Sequence, residues 1–317
     1  MTAKTTSPEG KDLRDGGPLA FESQARGVDG TRIYFRRKRG PSELTAFLCD
    51  GIACDGFIWK YLWDELADRM SVAHFHYRGH GRSSAPADPE RIGVANHAED
   101  ADAVRRCLGD PPVVFVGHSF GSQVALETYR LRKENIRALV FLCGSFGRVT
   151  YTFKGTDLLA NVLPDLASFA HQHPHIARGL WSHVPIPAAL AVARWTGDID
   201  VSKVSADDVT PYFEHVKNLD FTMFVDMLRA AGEHSAEDLL PLVDVPALVV
   251  AGDRDSFTPP EVSRAMAEAI PNAEFVLLKG GSHLGPLERR EEVRLAIFDF
   301  LERRAGLPRA DASLPAS

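Results

Sequence analysis

The stretch VVFVGHSFGS, residues 113–122, decides how the rest of the chain is read. Residues 113–116 are all apolar and run without a break into Gly117-His118-Ser119-Phe120-Gly121. A helical pattern follows from about residue 123 to 131. A short, wholly apolar run ahead of a helix reads as a strand buried on both faces. The G-x-S-x-G pattern behind it predicts a sharp strand-to-helix turn with the serine at its tip and the hydroxyl exposed. Glycines two before and two after relieve the crowding at such a turn. In this setting Ser119 reads as a nucleophile rather than a structural turn serine.

Strands and helices alternate on both sides of this turn. Residues 20–38 have the pattern of a hairpin, with Asp29-Gly30 as its turn signal. Apolar runs at 44–49, 72–77, 138–142, 247–251 and 275–278 predict five further strands. Helical spacing appears at 57–69, with Trp59, Leu62 and Leu66 on one side, at 96–108, and at 288–303. Buried strands alternating with helices imply an α/β fold: a mostly parallel, twisted sheet with helices on both faces. Residues 148–235 break the rhythm. They hold helix-like segments and prolines but no clear strand, and predict a helical cap inserted into a core of 19–147 and 236–305. Residues 1–18 and 306–317 are polar and read as a disordered tail and a flexible tail.

Bulk properties narrow the function. A chain of 317 residues buries a full core without disulfides or metal. Its net charge of −7 argues against a nucleic-acid role. Cys49, Cys54, Cys107 and Cys143 show neither C-x-x-C nor zinc spacing, and Cys49 and Cys143 lie in apolar runs. Free thiols of this kind suit a reducing compartment. The N-terminal residues lack the apolar stretch of a signal peptide, and no window approaches the roughly 18 apolar residues of a spanning helix. The expectation is a cytoplasmic protein without membrane insertion that acts on a small molecule, without metal or cofactor. Its oligomeric state is not legible. His171, His173 and His175 in HQHPH read as polar cap surface, since two-residue spacing alone does not make a metal site. RGHGRSS lacks the remaining spacing of a dinucleotide fingerprint.

A serine hydroxyl needs a base to attack a carbonyl, and a histidine suits because its side chain titrates near working pH. Of 12 histidines, His283 stands in the loop between the last apolar strand and the last helix. This is where the third member falls in the chain order serine, acid, histidine. The orienting acid is expected at the end of the preceding strand, in Gly252-Asp253-Arg254-Asp255. Asp255 is the choice, with Asp253 as a turn or supporting residue. Two backbone N–H groups are needed for the developing oxyanion. Phe120, just after the serine, and Ile52, in the loop after the 44–49 strand, are the candidates.

Four segments now carry a resemblance: DGIACDGFIW, HYRGHGRSS, GHSFGS, and the pair GDRDSFTP with GSHLGPLE. The chain resembles the α/β-hydrolase superfamily, in its capped, serine-nucleophile branch, over nearly its whole length outside the tails and cap. Some hydrolases of this fold carry the acid one strand earlier, but here that strand leads into Cys143-Gly144-Ser145, without a carboxylate. A serine at the elbow argues against the haloalkane dehalogenase and epoxide hydrolase branches, which use aspartate there. One departure stands out: many members have His-Gly where this chain has Asp50-Gly51. The resemblance implies hydrolysis of a carboxylic ester through an acyl-enzyme. The apolar cap, with Trp181, Trp195, Phe221 and Phe224 as substrate-binding candidates, favours a lipophilic or aromatic substrate. Carbon–carbon bond hydrolysis, thioester or lactone cleavage and cofactor-free perhydrolysis use the same triad. A non-catalytic ligand receptor on this scaffold is the alternative of another class.

Overall fold

The computed structural model describes residues 20–183, 185–188, 191, 199–200 and 202–309. Trp195 and nearly all of both tails lie outside the described residues. Eight strands make one sheet: β1 (Ala20–Arg26), β2 (Arg32–Lys38), β3 (Thr45–Cys49), β4 (Ser71–Phe75), β5 (Val113–His118), β6 (Ile136–Leu142), β7 (Ala247–Gly252) and β8 (Ala273–Leu278). Their order across the sheet is β1-β2-β4-β3-β5-β6-β7-β8. The β1–β2 and β2–β4 pairs are antiparallel and every other pair is parallel.

The alternation along residues 113–116 of β5 shows why this run is apolar. Val113 and Phe115 join one apolar cluster with Phe47, Phe141 and Val249. Val114 and Val116 join the opposite one with Leu48, Val140 and Leu248. Successive strand residues point to opposite faces, so all four of these positions are buried whichever face they take. Helices α2 (Val94–Cys107) and α3 (Phe120–Leu131) cover the first face, and α1 (Leu62–Ala67) the second. Each fully buried side chain of this size contributes about 1.5–3 kcal/mol.

Two predicted helices are shorter or broken in the structure. The 57–69 segment becomes a 3₁₀ turn, Phe57–Trp59, followed by α1. Trp59, Leu62 and Leu66 are nevertheless buried together. In contrast, α3 begins three residues earlier than its pattern suggested, directly at Phe120.

Between β6 and β7 the chain leaves the sheet. It forms α4 (Val149–Thr152), α5 (Leu158–Gln172), α6 (Pro174–Ser182), α7 (Ala206–Asn218) and α8 (Phe221–Glu233). The described residues of 149–233 supply no strand of the sheet. Gly147 and Ser235 pair as an antiparallel bridge, so the excursion starts and ends at one place. Leu163, Ala167 and Val225 form a small apolar cluster of their own between α5 and α8. Asp220 caps α8 by accepting from the Met223 N–H at 2.9 Å. Asp208, at the start of α7, accepts from Lys60 Nζ at 2.5 Å and Tyr61 OH at 2.7 Å and ties that helix to the core.

The last part of the chain returns to the sheet. Helix α9 (Pro260–Ala269) follows β7. A short helix, α10 (Gly285–Glu288), precedes a break at Arg289, and the final predicted helix follows as α11 (Arg290–Arg304), two residues later than its pattern suggested. The break has a cause in Glu288, whose buried carboxylate accepts from Ser282 N–H at 2.8 Å, Ser282 OH at 2.7 Å and Asp200 N–H at 2.8 Å.

The strand order reverses its direction of growth between β3 and β5. Open α/β sheets bind ligands outside the carboxyl ends of the strands at such a point. Ile52 follows β3 and Ser119 follows β5, which puts both at that crevice.

Candidate active site

Ser119 sits at φ 53° and ψ −120°, a backbone conformation that side-chain-bearing residues rarely adopt. Holding it there costs on the order of 1–3 kcal/mol, which the surrounding structure must supply. Two close approaches make the turn feasible only with glycine at its flanks. A Cβ on Gly117 would stand 2.5 Å from the Gly121 carbonyl oxygen, and one on Gly121 would stand 2.1 Å from that of Cys49. The N–H of Ser119 is held by the Leu142 carbonyl on β6 at 3.1 Å.

Three sequence-predicted residues meet here from three strand ends. His283 Nε2 lies 2.9 Å from Ser119 Oγ. Its Nδ1 lies 3.0 and 2.9 Å from the two carboxylate oxygens of Asp255. A carboxylate only accepts, so Nδ1 carries the proton and Nε2 is free to accept from the serine. Asp255 is buried and further fixed by the N–H groups of Phe257 and Thr258, each at 2.9 Å. Asp253 is exposed and accepts instead from the Gly280 N–H at 2.6 Å, as a turn residue does.

Sequence reasoning missed the residues that hold these three in place. The Thr258 hydroxyl lies 2.8 Å from both Asp255 Oδ2 and the Cys143 carbonyl oxygen. His118, inside the quoted motif, is bonded through Nε2 to the His283 backbone carbonyl at 2.9 Å. That carbonyl only accepts, so Nε2 of His118 is protonated. Burial, and then the neighbouring His283, push the His118 pKa down to about 4, so the ring is neutral. Phe257 stacks on the His283 ring with centroids 4.9 Å apart. A three-residue spacing from the acid was the only signal in the sequence for Thr258, and it is too common to be read.

The unusual Asp50 has a clear structural part. Its carboxylate is fully buried and accepts from Trp59 Nε1 at 2.6 Å and meets His74 Nε2 at 2.8 Å. Burial works to raise its pKa, but His74 and these hydrogen bonds prevail and hold it below the ordinary carboxylate range. The Asp50 carbonyl oxygen accepts from the Tyr77 hydroxyl at 2.8 Å. The loop that carries Ile52 is therefore anchored at its root, and Ala53 at φ 57° bends it. Phe120 opens α3, and a first-turn N–H has no carbonyl in its own helix to reach.

Two cavities meet at Ser119. One, of about 260 Å³, is lined by His283, Leu284, Val209 and Phe213 among others. The second, of about 270 Å³, is lined by Phe120, Leu159, Phe224, Leu228 and Ala231 among others. Ile52, Ser119, Tyr212 and Phe257 belong to both walls. Neither wall contains a lysine, an arginine or a carboxylate among the described residues.

The substrate-binding expectation needs correction here. Of its described residues only Phe224 lines either of these two cavities. Trp181 stacks on Phe224 with centroids 5.3 Å apart, packs on Phe221 at 4.9 Å, and donates from Nε1 to the Val216 carbonyl at 2.8 Å. Trp181 and Phe221 hold cap helices together instead of facing the site. Trp195 lies outside the described residues. On α7 and α8 the wall combines Val209, Tyr212 and Phe213 with Phe224, Leu228 and Ala231. Elsewhere in the cap, His171 pairs with Asp226 at 2.8 Å.

Comparison with known proteins agrees with this architecture. The family model described as alpha/beta hydrolase fold matches residues 47–289. The chain is 27% identical over 292 residues to the polyketide synthase ThaQ of Burkholderia thailandensis; the match covers 92% of this chain but spans only 13% of that protein. It is 25% identical to the putative carbamate hydrolase RutD of Caulobacter sp. (strain K31), covering 89% of this chain and 99% of the relative. Among solved structures, an esterase from Thermogutta terrifontis has the same fold, with a TM-score of 0.67 at 21% identity over 89% of this chain and 98% of the other.

Proposed function

The chain belongs to the alpha/beta hydrolase fold family, and from that premise we propose that it is a serine hydrolase of carboxylic esters. The observation that carries the reading is the unbroken line Asp255–His283–Ser119 at the meeting point of two apolar cavities.

In this mechanism Ser119 Oγ attacks the ester carbonyl carbon while His283 Nε2 takes the hydroxyl proton. Asp255 keeps the histidine tautomer and stabilises the imidazolium. The carbonyl oxygen becomes an oxyanion and is held by the N–H groups of Phe120 and Ile52. The intermediate collapses, His283 returns the proton to the leaving alkoxide, and the alcohol departs. Water, deprotonated by His283, then releases the acyl group as the carboxylic acid.

His283 must reach the leaving oxygen, and it lines only the first cavity. The alcohol limb is therefore assigned to the side of Val209 and Phe213, and the acyl limb to the side of Phe224 and Leu228. Walls without a charged side chain favour a neutral substrate with lipophilic or aromatic limbs, since an unpaired carboxylate is costly to bury. A cytoplasmic setting fits the four free cysteines. Among the described residues no helix is long and apolar enough to cross a membrane.

The test is a panel of esters graded separately in acyl and alcohol length, run beside thioesters, lactones and a dienone acid, with Ser119→Ala as the blank. Ester turnover that is highest for neutral, apolar limbs and falls by about 10⁴–10⁶ in the blank supports the reading. Preference for another bond class moves the assignment to that class. Equal turnover by Ser119→Ala rejects the nucleophile.

A further inference from the structure

Five of the six tyrosines have an evident role or environment. The hydroxyls of Tyr61, Tyr77 and Tyr129 donate to Asp208, the Asp50 carbonyl and Asp244, and that of Tyr34 accepts from Arg82. Tyr151 is half exposed to water. Tyr212 differs. It lies on α7, its ring packs on Phe57 with centroids 5.0 Å apart, and it belongs to the walls of both cavities. No protein group among the described residues bonds its hydroxyl.

The hydroxyl is not among the side-chain atoms shut off from solvent, so it is open to a partner that arrives with the substrate. The position indicates which atom of the substrate that is. The residues common to both cavities surround the point where the two limbs of an ester join, which is the carbonyl. Tyr212 shares that junction with Ile52, whereas His283, which serves the leaving oxygen, lines one cavity only. Cys54, two residues beyond Ile52, lines the first cavity beside Tyr212, and its thiol reaches the Ile52 carbonyl at 3.5 Å.

We propose that the Tyr212 hydroxyl is a third hydrogen-bond donor to the oxyanion, supplied from the cap and additional to the two backbone N–H groups. This rests on reading Ser119 as the nucleophile. Burial foremost, and then Cys54, push the Tyr212 phenol well above its ordinary range, so it keeps its proton while the chemistry runs. The cap then takes part in the chemical step as well as in substrate choice. Its attachment at Asp208, four residues earlier on the same helix, sets where that donor stands.

Tyr212→Phe removes one oxygen and keeps the ring that packs on Phe57. The measurement pairs steady-state kinetics with binding of a trifluoromethyl ketone and its methyl ketone parent, followed by fluorine NMR for the former. The trifluoromethyl ketone forms a hemiketal: Ser119 Oγ bonds the ketone carbon, the serine proton passes to His283, and the ketone oxygen becomes the oxyanion. Tyr212→Phe is expected to lower kcat at least about tenfold with KM little changed. Trifluoromethyl ketone affinity should fall by the same factor while methyl ketone affinity holds. Unchanged kcat and hemiketal affinity would overturn the proposal, as would an equal loss of both ketones, which marks a wall residue. Absence of any hemiketal in the wild-type protein would reject the Ser119 reading itself and the Tyr212 role with it.

Discussion

On the sheet side of the site, Ser119, His283 and Asp255 are joined by directed hydrogen bonds, and each is braced by further ones from Leu142, His118 and Thr258. On the cap side, Val209, Phe213, Phe224 and Leu228 contribute apolar surface only. The sheet supports the first group with strands buried on both faces, while the cap packs around a small cluster of its own and leaves Leu158, Ile176 and Leu180 exposed. Hydrogen-bonded geometry is directional and fails when an atom moves by an ångström. Apolar contact is non-directional and tolerates exchange at roughly constant volume. On the proposed reading, chemistry is therefore fixed on one side of the cavities and selectivity is adjustable on the other, with Tyr212, among the described residues, as the cap residue placed to cross that division.

The sharpest way to break this contrast is at the acid. Asp255→Asn leaves the shape but supports the wrong histidine tautomer, and kcat should fall on the order of 10⁴. Asp253→Asn loses only a turn contact to Gly280 and should stay within about threefold of wild type, as a surface change does. Reversed losses in parallel kinetic assays would mean that the strand end is misassigned.

The cap should respond more mildly and differently at each position. Phe224→Ala is expected to shift the preferred acyl length, and Phe213→Ala the preferred alcohol, each by about 1–3 kcal/mol in discrimination. Trp181→Ala and Phe221→Ala should lower the melting temperature and leave the ranking of substrates alone, since both side chains pack within the cap. A changed ranking in the Trp181 variant, or none with Phe224 and Phe213, would remove the distinction between wall and packing.

These two regions were also unequally legible in the sequence. Ser119, Asp255 and His283 each stand just past an apolar strand, and the chemistry admits few residue types at those points. The sheet, its hairpin and the helical insertion followed from periodicity in the same way. Cap residues carry no such constraint. Trp181 and Phe221 were conspicuous by size yet serve packing, while Tyr212 and Val209 look like ordinary positions of an amphipathic helix. Residues that act through another side chain are harder still: His118 meets a segment 165 positions away, and the three-residue spacing of Thr258 from Asp255 is too common to single it out.

A separate expected effect concerns stability of the sheet side in acid. Burial holds His80 and His118 near pKa 4, and pushes His97 well below its ordinary value. In the unfolded chain these rings take up protons below about pH 6.5. Because the folded values are depressed, the unfolded state binds more protons as the pH falls from about 6.5 towards 4, and stability is lost over that window. Each ring contributes up to about 1.4 kcal/mol per pH unit. The urea midpoint should fall between pH 7 and 5, and His97→Leu should flatten that slope. A midpoint independent of pH over this range would contradict the buried, neutral state of these rings.

The central claim, that Ser119 is a nucleophile activated through His283, is tested most directly by covalent trapping. The protein is treated with a fluorophosphonate probe and the modified peptide is sequenced by mass spectrometry, for wild type, Ser119→Ala and His283→Ala. The expected result is a single adduct on Ser119 in wild type, none in Ser119→Ala, and labelling slowed on the order of 10³-fold or more in His283→Ala. An adduct on another residue, or equal labelling rates in wild type and His283→Ala, would contradict it.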